Sequence, residues 1–256
     1  MTPLFVIYFF IFIIGAGIGS FLNVCISRIP NKKSIVFPPS ICANCGKKVK
    51  PYDNIPIISY LILRGKCRFC SEKIPIHHFI VEIVTPLLYI LIFTLCDNQF
   101  SFLFFKYIFF ISVCIIIFFI DFKHKIIPNI LTLPLIVIGF GLVFFKNNDV
   151  SYISSLIGAG FGFLLFWGLA VLFYRVTNKE GLGGGDIKLI TAIGAFIGFY
   201  GTLFVILSSS FLAIIIIVIF QRDKSKYFPY GPFLVLASML YVFFGKNLIE
   251  YYLYFF

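Results

Sequence analysis

Long apolar runs alternate with short polar connections along this chain, and only one polar stretch, residues 27–78, is itself long. A helical span needs about 20 apolar residues. The runs near 3–26, 79–95, 102–120, 127–145, 152–174, 187–201, 203–220 and 232–249 therefore predict about eight transmembrane helices. The sixth run is short and meets the seventh through Tyr200-Gly201-Thr202, which predicts a tight hairpin there. Seven spans, or a re-entrant pair at that point, is the alternative count. No Lys or Arg precedes the first run, and it is too long for a cleaved signal core, so it reads as a retained helix.

Composition sharpens this picture. Apolar residues make up 61% of the 256 and charged residues 12%, against roughly 45–50% and about 25% in soluble domains. A water-soluble fold could not hide that much apolar surface, and a disordered chain would show the opposite bias. Seven cysteines are too few for a disulfide scaffold of this length. The expected fold class is an all-α polytopic membrane protein, with 1–26 as the first helix, 27–78 as a small loop domain and 79–256 as a seven-helix core.

The net charge of +11 records topology rather than a nucleic-acid partner. Ten Lys and Arg lie in 27–78, and the 121–126, 175–188 and 221–231 connections carry most of the others. The alternate connections and the tail hold only Lys146 and Lys246, and Lys106 lies within a span. Basic connections stay in the cytoplasm, so both termini are expected outside it. The same bias puts Asp121, the 181–186 glycine run and the cysteine-bearing loop on the cytoplasmic side.

Within that loop, Cys42-Ala-Asn-Cys45 and Cys67-Arg-Phe-Cys70 form two CxxC pairs separated by 21 residues. Four thiolates suit a closed tetrahedral structural zinc site, and a polar loop with little core of its own needs such a staple. Two disulfides or redox pairs are the alternative, and a reducing compartment argues against them. Cys25, Cys96 and Cys114 lie in or beside spans and read as packing residues, and His77 and His78 as interface histidines.

Acids at the rim of a span are costly and so are functional candidates. Glu72, Asp97, Asp149, Asp223 and Glu250 sit in loops or the tail, where solvation is expected. Asp121 ends the run from Phe102, whereas Asp186 ends Gly181-Leu182-Gly183-Gly184-Gly185 and opens the next apolar stretch. Two carboxylates close enough to share a proton can activate water and protonate a leaving amine. The plainer alternative pairs Asp121 with a neighbouring lysine and makes Asp186 a helix cap. The glycines favour the first reading, since Gly183 and Gly185 let a backbone approach closely. A helix N-terminus favours negative charge, so Asp186 is the expected base and Asp121 the holder of the shared proton.

An ordered set of motifs then resembles the type IV prepilin peptidases, GxGD-type aspartic peptidases of the bacterial cytoplasmic membrane. The set comprises Gly19-Ser20-Phe21-Leu22-Asn23-Val24, Arg28-Ile29-Pro30, the two Cys pairs with Asp53-Asn54-Ile55-Pro56 between them, and Leu63-Arg64-Gly65-Lys66. It continues with Asp121, Ile127-Pro128, Gly183-Gly184-Gly185-Asp186 and Pro229-Tyr230-Gly231-Pro232. Asn129 and Tyr230 depart from the commoner Asp and Phe. The resemblance implies cleavage of the basic leader of prepilins or pseudopilins after a glycine, followed in many members by N-methylation with S-adenosylmethionine. It implies Asp121 and Asp186 as the catalytic pair, Cys42, Cys45, Cys67 and Cys70 as the zinc tetrad, and Gly65-Lys66 as methylation-associated. Glu82, one turn into the second span, is a candidate contact for the basic leader, with packing as the plainer role. The alternatives are a peptidase without methyl transfer, a presenilin-like protease, and a transporter or scaffold. Ile120 before Asp121 and Pro-Tyr-Gly-Pro in the last span speak against the presenilin-like reading. The apolar middles of the spans speak against a transporter.

Overall fold

Among the described residues eight α-helices form, α1 (Leu4–Arg28), α2 (Ile58–Ile62), α3 (Ile76–Leu95), α4 (Phe102–His124), α5 (Asn129–Leu142), α6 (Tyr152–Thr177), α7 (Gly184–Phe220) and α8 (Gly231–Leu240). A π-helical turn, Tyr241–Gly245, continues α8. The computed structural model describes residues 4–179, 181–220 and 229–245, and among these no strand forms beyond two isolated bridges. The fold is all-α. Five helices are long and apolar enough to cross a membrane (α1, α3, α4, α6 and α7), and α5 and α8 are shorter apolar helices. The end of the last expected span and the 221–228 connection lie outside the described residues.

Residues up to 100 form one compact unit and residues from 101 onward another. In the first unit, α1 lies against α3 through two glycines one helical turn apart. A Cβ at Gly15 would sit 2.7 Å from Cα of Pro86, and one at Gly19 would sit 3.0 Å from Cα of Glu82. Small residues at this spacing let helix backbones approach where lipid supplies no hydrophobic drive. Asn23 secures the far end by donating from Nδ2 to the His78 carbonyl at 2.9 Å.

The 29–75 loop is built from two like halves. The Cys42 amide donates to the Lys47 carbonyl at 2.9 Å, and the Cys67 amide to the Glu72 carbonyl at 2.8 Å. An antiparallel bridge closes each half, Ile41 with Lys48 and Lys66 with Lys73. A residue with positive φ follows each second cysteine, Gly46 at 67° and Ser71 at 57°. The same turn is thus made twice, although sequence spacing alone shows only the repeated CxxC.

In the second unit α4 is the core helix, with Phe110, Ile111, Cys114, Ile117 and Ile120 all fully buried. The α7 run contains one non-helical residue, Gly198, at φ 74° and ψ −173°. It is a fold-back. Gly162 of α6 has Ile190 and Thr202 both within 3.3 Å of its Cβ position, yet a straight helix would hold residues twelve apart about 18 Å from each other. The turn expected at Tyr200-Gly201-Thr202 therefore falls slightly earlier, at the glycine whose conformation side chains disfavour. Two α6 serines pin it: Ser155 Oγ donates to the Ala195 carbonyl at 2.8 Å, and the Phe199 amide donates to Ser154 Oγ at 3.1 Å.

Asp149 departs from its expected solvated state. Lys106, only 3% exposed in α4, donates to Asp149 Oδ1 at 2.6 Å and to Asn148 Oδ1 at 2.8 Å. Tyr107 also donates to the Asp149 carboxylate. The lysine inside the span thus finds its counter-charge in the α5–α6 connection, forty-three residues away. This is the usual solution for a charge at membrane depth.

Candidate active site

The chemistry-bearing acids of the second unit meet at the ends of three helices. Asp121 lies in the last turn of α4, which runs on to His124 and stops at Lys125, in left-handed conformation at φ 57°. The expected helix end at Asp121 is therefore a few residues early. Asp186 occupies the first turn of α7. The residue amide of Asp186 donates to the Gly183 carbonyl at 3.0 Å, and the Gly183 amide donates back to the Asp186 carboxylate. The carboxylate thus makes the acidic half of a capping box, while the Gly183 carbonyl takes the place of the missing cap side chain. Asp186 is therefore not the cap itself but the residue that reaches back to it.

Both acids are buried, Asp121 at 4% exposure and Asp186 at 5%. The Asp121 carboxylate accepts from the Gly231 amide at the start of α8. Its negative charge bears on Asp186. Ile127 sits between two neighbouring glycines, 2.9 Å from a Cβ position at Gly185 and 2.9 Å from one at Gly231. Ile127 thereby accounts for both glycines, because a side chain at either would displace it. At Gly185 the freed space is taken by the protein itself. A Cβ at Gly231 would also collide with Oδ2 of Asp121.

One carboxylate oxygen, Oδ1 of Asp186, is buried with no hydrogen-bond partner among the described residues. A buried polar atom left unpaired is expensive and marks a place where water or a ligand group belongs. Around the pair, Lys188 Nζ donates to Asn129 Oδ1 at 2.9 Å, tying α7 to the start of α5. Tyr230 Oη pairs with Ser209 Oγ at 2.7 Å. Ser209 lies in the second limb of α7, so that limb returns toward the end where the first begins. Ile127, Ser209 and Lys188 were not singled out by sequence reasoning. For Ile127 the available signal was its place in the Ile-Pro motif after Asp121.

The remaining candidates belong to the first unit. The four sulfurs of Cys42, Cys45, Cys67 and Cys70 all lie within 4.8 Å of one another, with Cys42 and Cys70 at 3.8 Å. Tetrahedral Zn–S bonds of about 2.3 Å require S···S separations of about 3.8 Å, so the residues present fit zinc. Amides of Cys70 and Phe69 directed at its sulfur hold the Cys67 thiol down to about 6, which favours the thiolate form that metals take. No disulfide joins any of the seven cysteines. Beside the cluster, the Arg68 guanidinium grips Asp53 through contacts of 2.6, 2.8 and 3.1 Å and holds its carboxyl below the usual range.

Glu82 is half-buried. Its Oε2 accepts from the Ile57 amide at 2.7 Å, and its carboxylate also pairs with Ser20. Ile57 has φ 66°, so Glu82 holds a strained loop residue against the α1–α3 pair. Gly65, at φ 66°, leaves room for the Tyr60 hydroxyl, which would lie 2.9 Å from a Cβ there. Lys66 follows it on the wall of a surface cavity.

A membrane protein with two buried, electrostatically linked carboxylates at the ends of its apolar helices is the class that this fold and site define. Residues 13–96 match the Bacterial Peptidase A24 N-terminal domain, and residues 108–218 match the Type IV leader peptidase family. Relatives bearing the name prepilin leader peptidase/N-methyltransferase include one from Dichelobacter nodosus, 31% identical over 99% of this chain and 96% of its own length. One from Vibrio cholerae serotype O1 is 35% identical over 95% of this chain and 99% of its own length. One from Xanthomonas campestris pv. campestris is 33% identical over 94% and 92%. The chain belongs to the type IV leader peptidase family. No solved structure matches it.

Proposed function

We propose that this protein is a prepilin leader peptidase and N-methyltransferase, with Asp121 and Asp186 as its catalytic pair. The observation that carries the peptidase reading is the buried Asp186 carboxylate, with one oxygen unpaired and the charge of Asp121 bearing on it. Two neighbouring carboxylates that share one proton supply a base and an acid together. The ionised member takes a proton from water, and the resulting hydroxide attacks the scissile carbonyl. The tetrahedral intermediate then expels the amine, which takes its proton from the other carboxyl. The Gly231 amide keeps the Asp121 carboxylate in place, and the Gly183 amide does the same for Asp186.

The substrate in this reading is a prepilin or pseudopilin, whose basic leader is cut off on the cytoplasmic side of the bacterial inner membrane, after a glycine. Its apolar mature segment partitions into the bilayer and delivers the bond to headgroup depth. Eight crossings, with the α7 limbs as two of them, and both termini outside the cytoplasm agree with the charge bias between connections. Zinc at the four cysteines would link the two like halves of the loop, which has little apolar core of its own. S-adenosylmethionine would supply the methyl group for the new N-terminus. Gly65 and Lys66 carry the association with that step, and Glu82 is read as a residue that holds the loop rather than the leader.

The test is incubation of the purified protein with a prepilin, with and without labelled S-adenosylmethionine, followed by product mass. Wild type yields a shortened and then a methylated product. Asp121→Asn and Asp186→Asn each lower cleavage by roughly 10²–10⁴-fold while the proteins stay folded. Full cleavage by either variant would refute the paired-carboxylate mechanism.

A further inference from the structure

A cavity of about 340 Å³ opens in the first unit between the end of α2 and the start of α3. Arg64, Lys66 and Lys73 line it together with Tyr60, Pro75 and Ile76, and no acid contributes. Its walls are well held. The Ile74 amide donates to the Gly65 carbonyl at 2.7 Å, the Gly65 amide donates to the Tyr60 carbonyl at 2.9 Å, and the Tyr60 ring stacks on Phe79 at 4.8 Å.

The charge arrangement is costly as it stands. Lys66 and Lys73 face each other across an antiparallel bridge, and like charges directly opposite destabilise such a pair. Several basic side chains in the same loop are matched, Arg68 with Asp53, and Lys47 and Lys50 over the Phe69 ring. Among the described residues, no partner engages the side chains of Arg64, Lys66 or Lys73. An anion seated between them removes the repulsion.

The surroundings say which anion. Ile76 opens α3, which is long and apolar enough to cross a bilayer. Ile58, Leu61 and Ile62 of α2 and Ile76 itself are all more than half exposed. A cationic pocket with exposed Ile76 in its wall, at the polar end of a span and beside the exposed apolar residues of α2, matches a phosphate that carries acyl chains. S-adenosylmethionine would bring one carboxylate to these cations, but its sulfonium and ammonium groups offset it and it has no acyl chain for the exposed apolar side chains, so the methyl donor is the competing occupant that the test includes. We propose that Arg64, Lys66 and Lys73 form a phosphate site occupied by the headgroup of an anionic phospholipid.

The test uses the full chain in a neutral detergent, titrated with phosphatidylglycerol, phosphatidylcholine, inorganic phosphate or S-adenosylmethionine, with bound ligand read by native mass spectrometry. Phosphatidylglycerol is expected to be retained as a one-to-one adduct and phosphatidylcholine is not. The Arg64→Gln/Lys73→Gln double variant, checked for an unchanged helical spectrum, weakens phosphatidylglycerol binding by roughly tenfold or more. A Lys123→Gln variant, outside the pocket, leaves it unchanged. Equal retention of both lipids, or an unaltered double variant, overturns the site. Inorganic phosphate binding as tightly as phosphatidylglycerol overturns its assignment to lipid. Displacement of phosphatidylglycerol by S-adenosylmethionine, with binding of both lost in the double variant, overturns it in favour of the methyl donor.

Discussion

Gly231 is the most constrained residue near the two acids. Its amide donates to Asp121, and a methyl group in its place would strike both the Asp121 carboxylate and Ile127. Gly231→Ala is expected to lower kcat by about 10²-fold with little change in KM, since a misplacement of about 1 Å costs that much. Steady-state kinetics on a leader peptide would check this, and an unchanged kcat would mean that Asp121 does not depend on the α8 turn. In the loop, Asp53 and Arg68 make the clearest pH-dependent contact. The arginine holds the folded-state carboxyl of Asp53 below its unfolded value, so the pair's stabilisation is present at neutral pH and is lost as pH falls through the lowered value. Arg68 is partly exposed, so solvent screening keeps the effect small. Acid titration followed by protease sensitivity of the loop should show Arg68→Gln opening at higher pH than wild type.

The fold-back in α7 depends on one backbone conformation. Gly198 combines φ 74° with ψ −173°, and its Cβ position lies 2.5 Å from Ser154 Oγ. Such a conformation costs a non-glycine residue about 1–3 kcal/mol, and the serine would also be pushed off the Phe199 amide it caps. Gly198→Ala should lower the melting temperature in detergent and reduce cleavage, whereas Gly160→Ala in α6, where the Cβ position is open, should do neither. Apolar run lengths placed this turn at Tyr200-Gly201-Thr202, slightly late, because both limbs are apolar throughout and a glycine among many gives no local mark. The pairing of Lys106 with Asp149 was hidden for a different reason. Each looked ordinary in its own segment, and only packing of the α5–α6 connection on α4 brings the charges together.

The division of the chain at residue 100 has a measurable consequence. If zinc at the four cysteines holds the two like halves of the loop, chelation removes the support of the first unit and leaves the second intact. Trypsin should then cut at Lys47–Lys50 and Arg64–Lys73 much faster after treatment with a strong chelator, while a fragment that starts after Lys73 and carries the second unit persists, since no Lys or Arg lies between Lys73 and Lys106. Uniform resistance before and after chelation would show that the loop needs no metal. The family match follows a similar division, with one domain over 13–96 and another over 108–218.

Much of this was legible without coordinates. Apolar run lengths determined the helical class, since a backbone in lipid must satisfy its own hydrogen bonds. The two CxxC pairs and the two rim aspartates were singled out because their residue types are costly or reactive where they occur. Tertiary structure alone decided that Ile127 sits between two glycines, that an α8 amide meets Asp121, and that the turn of α7 falls at Gly198 rather than at 200–202. Local patterns record what each segment prefers. Contacts between residues tens of positions apart depend on how packed surfaces fit, and no single segment carries that information.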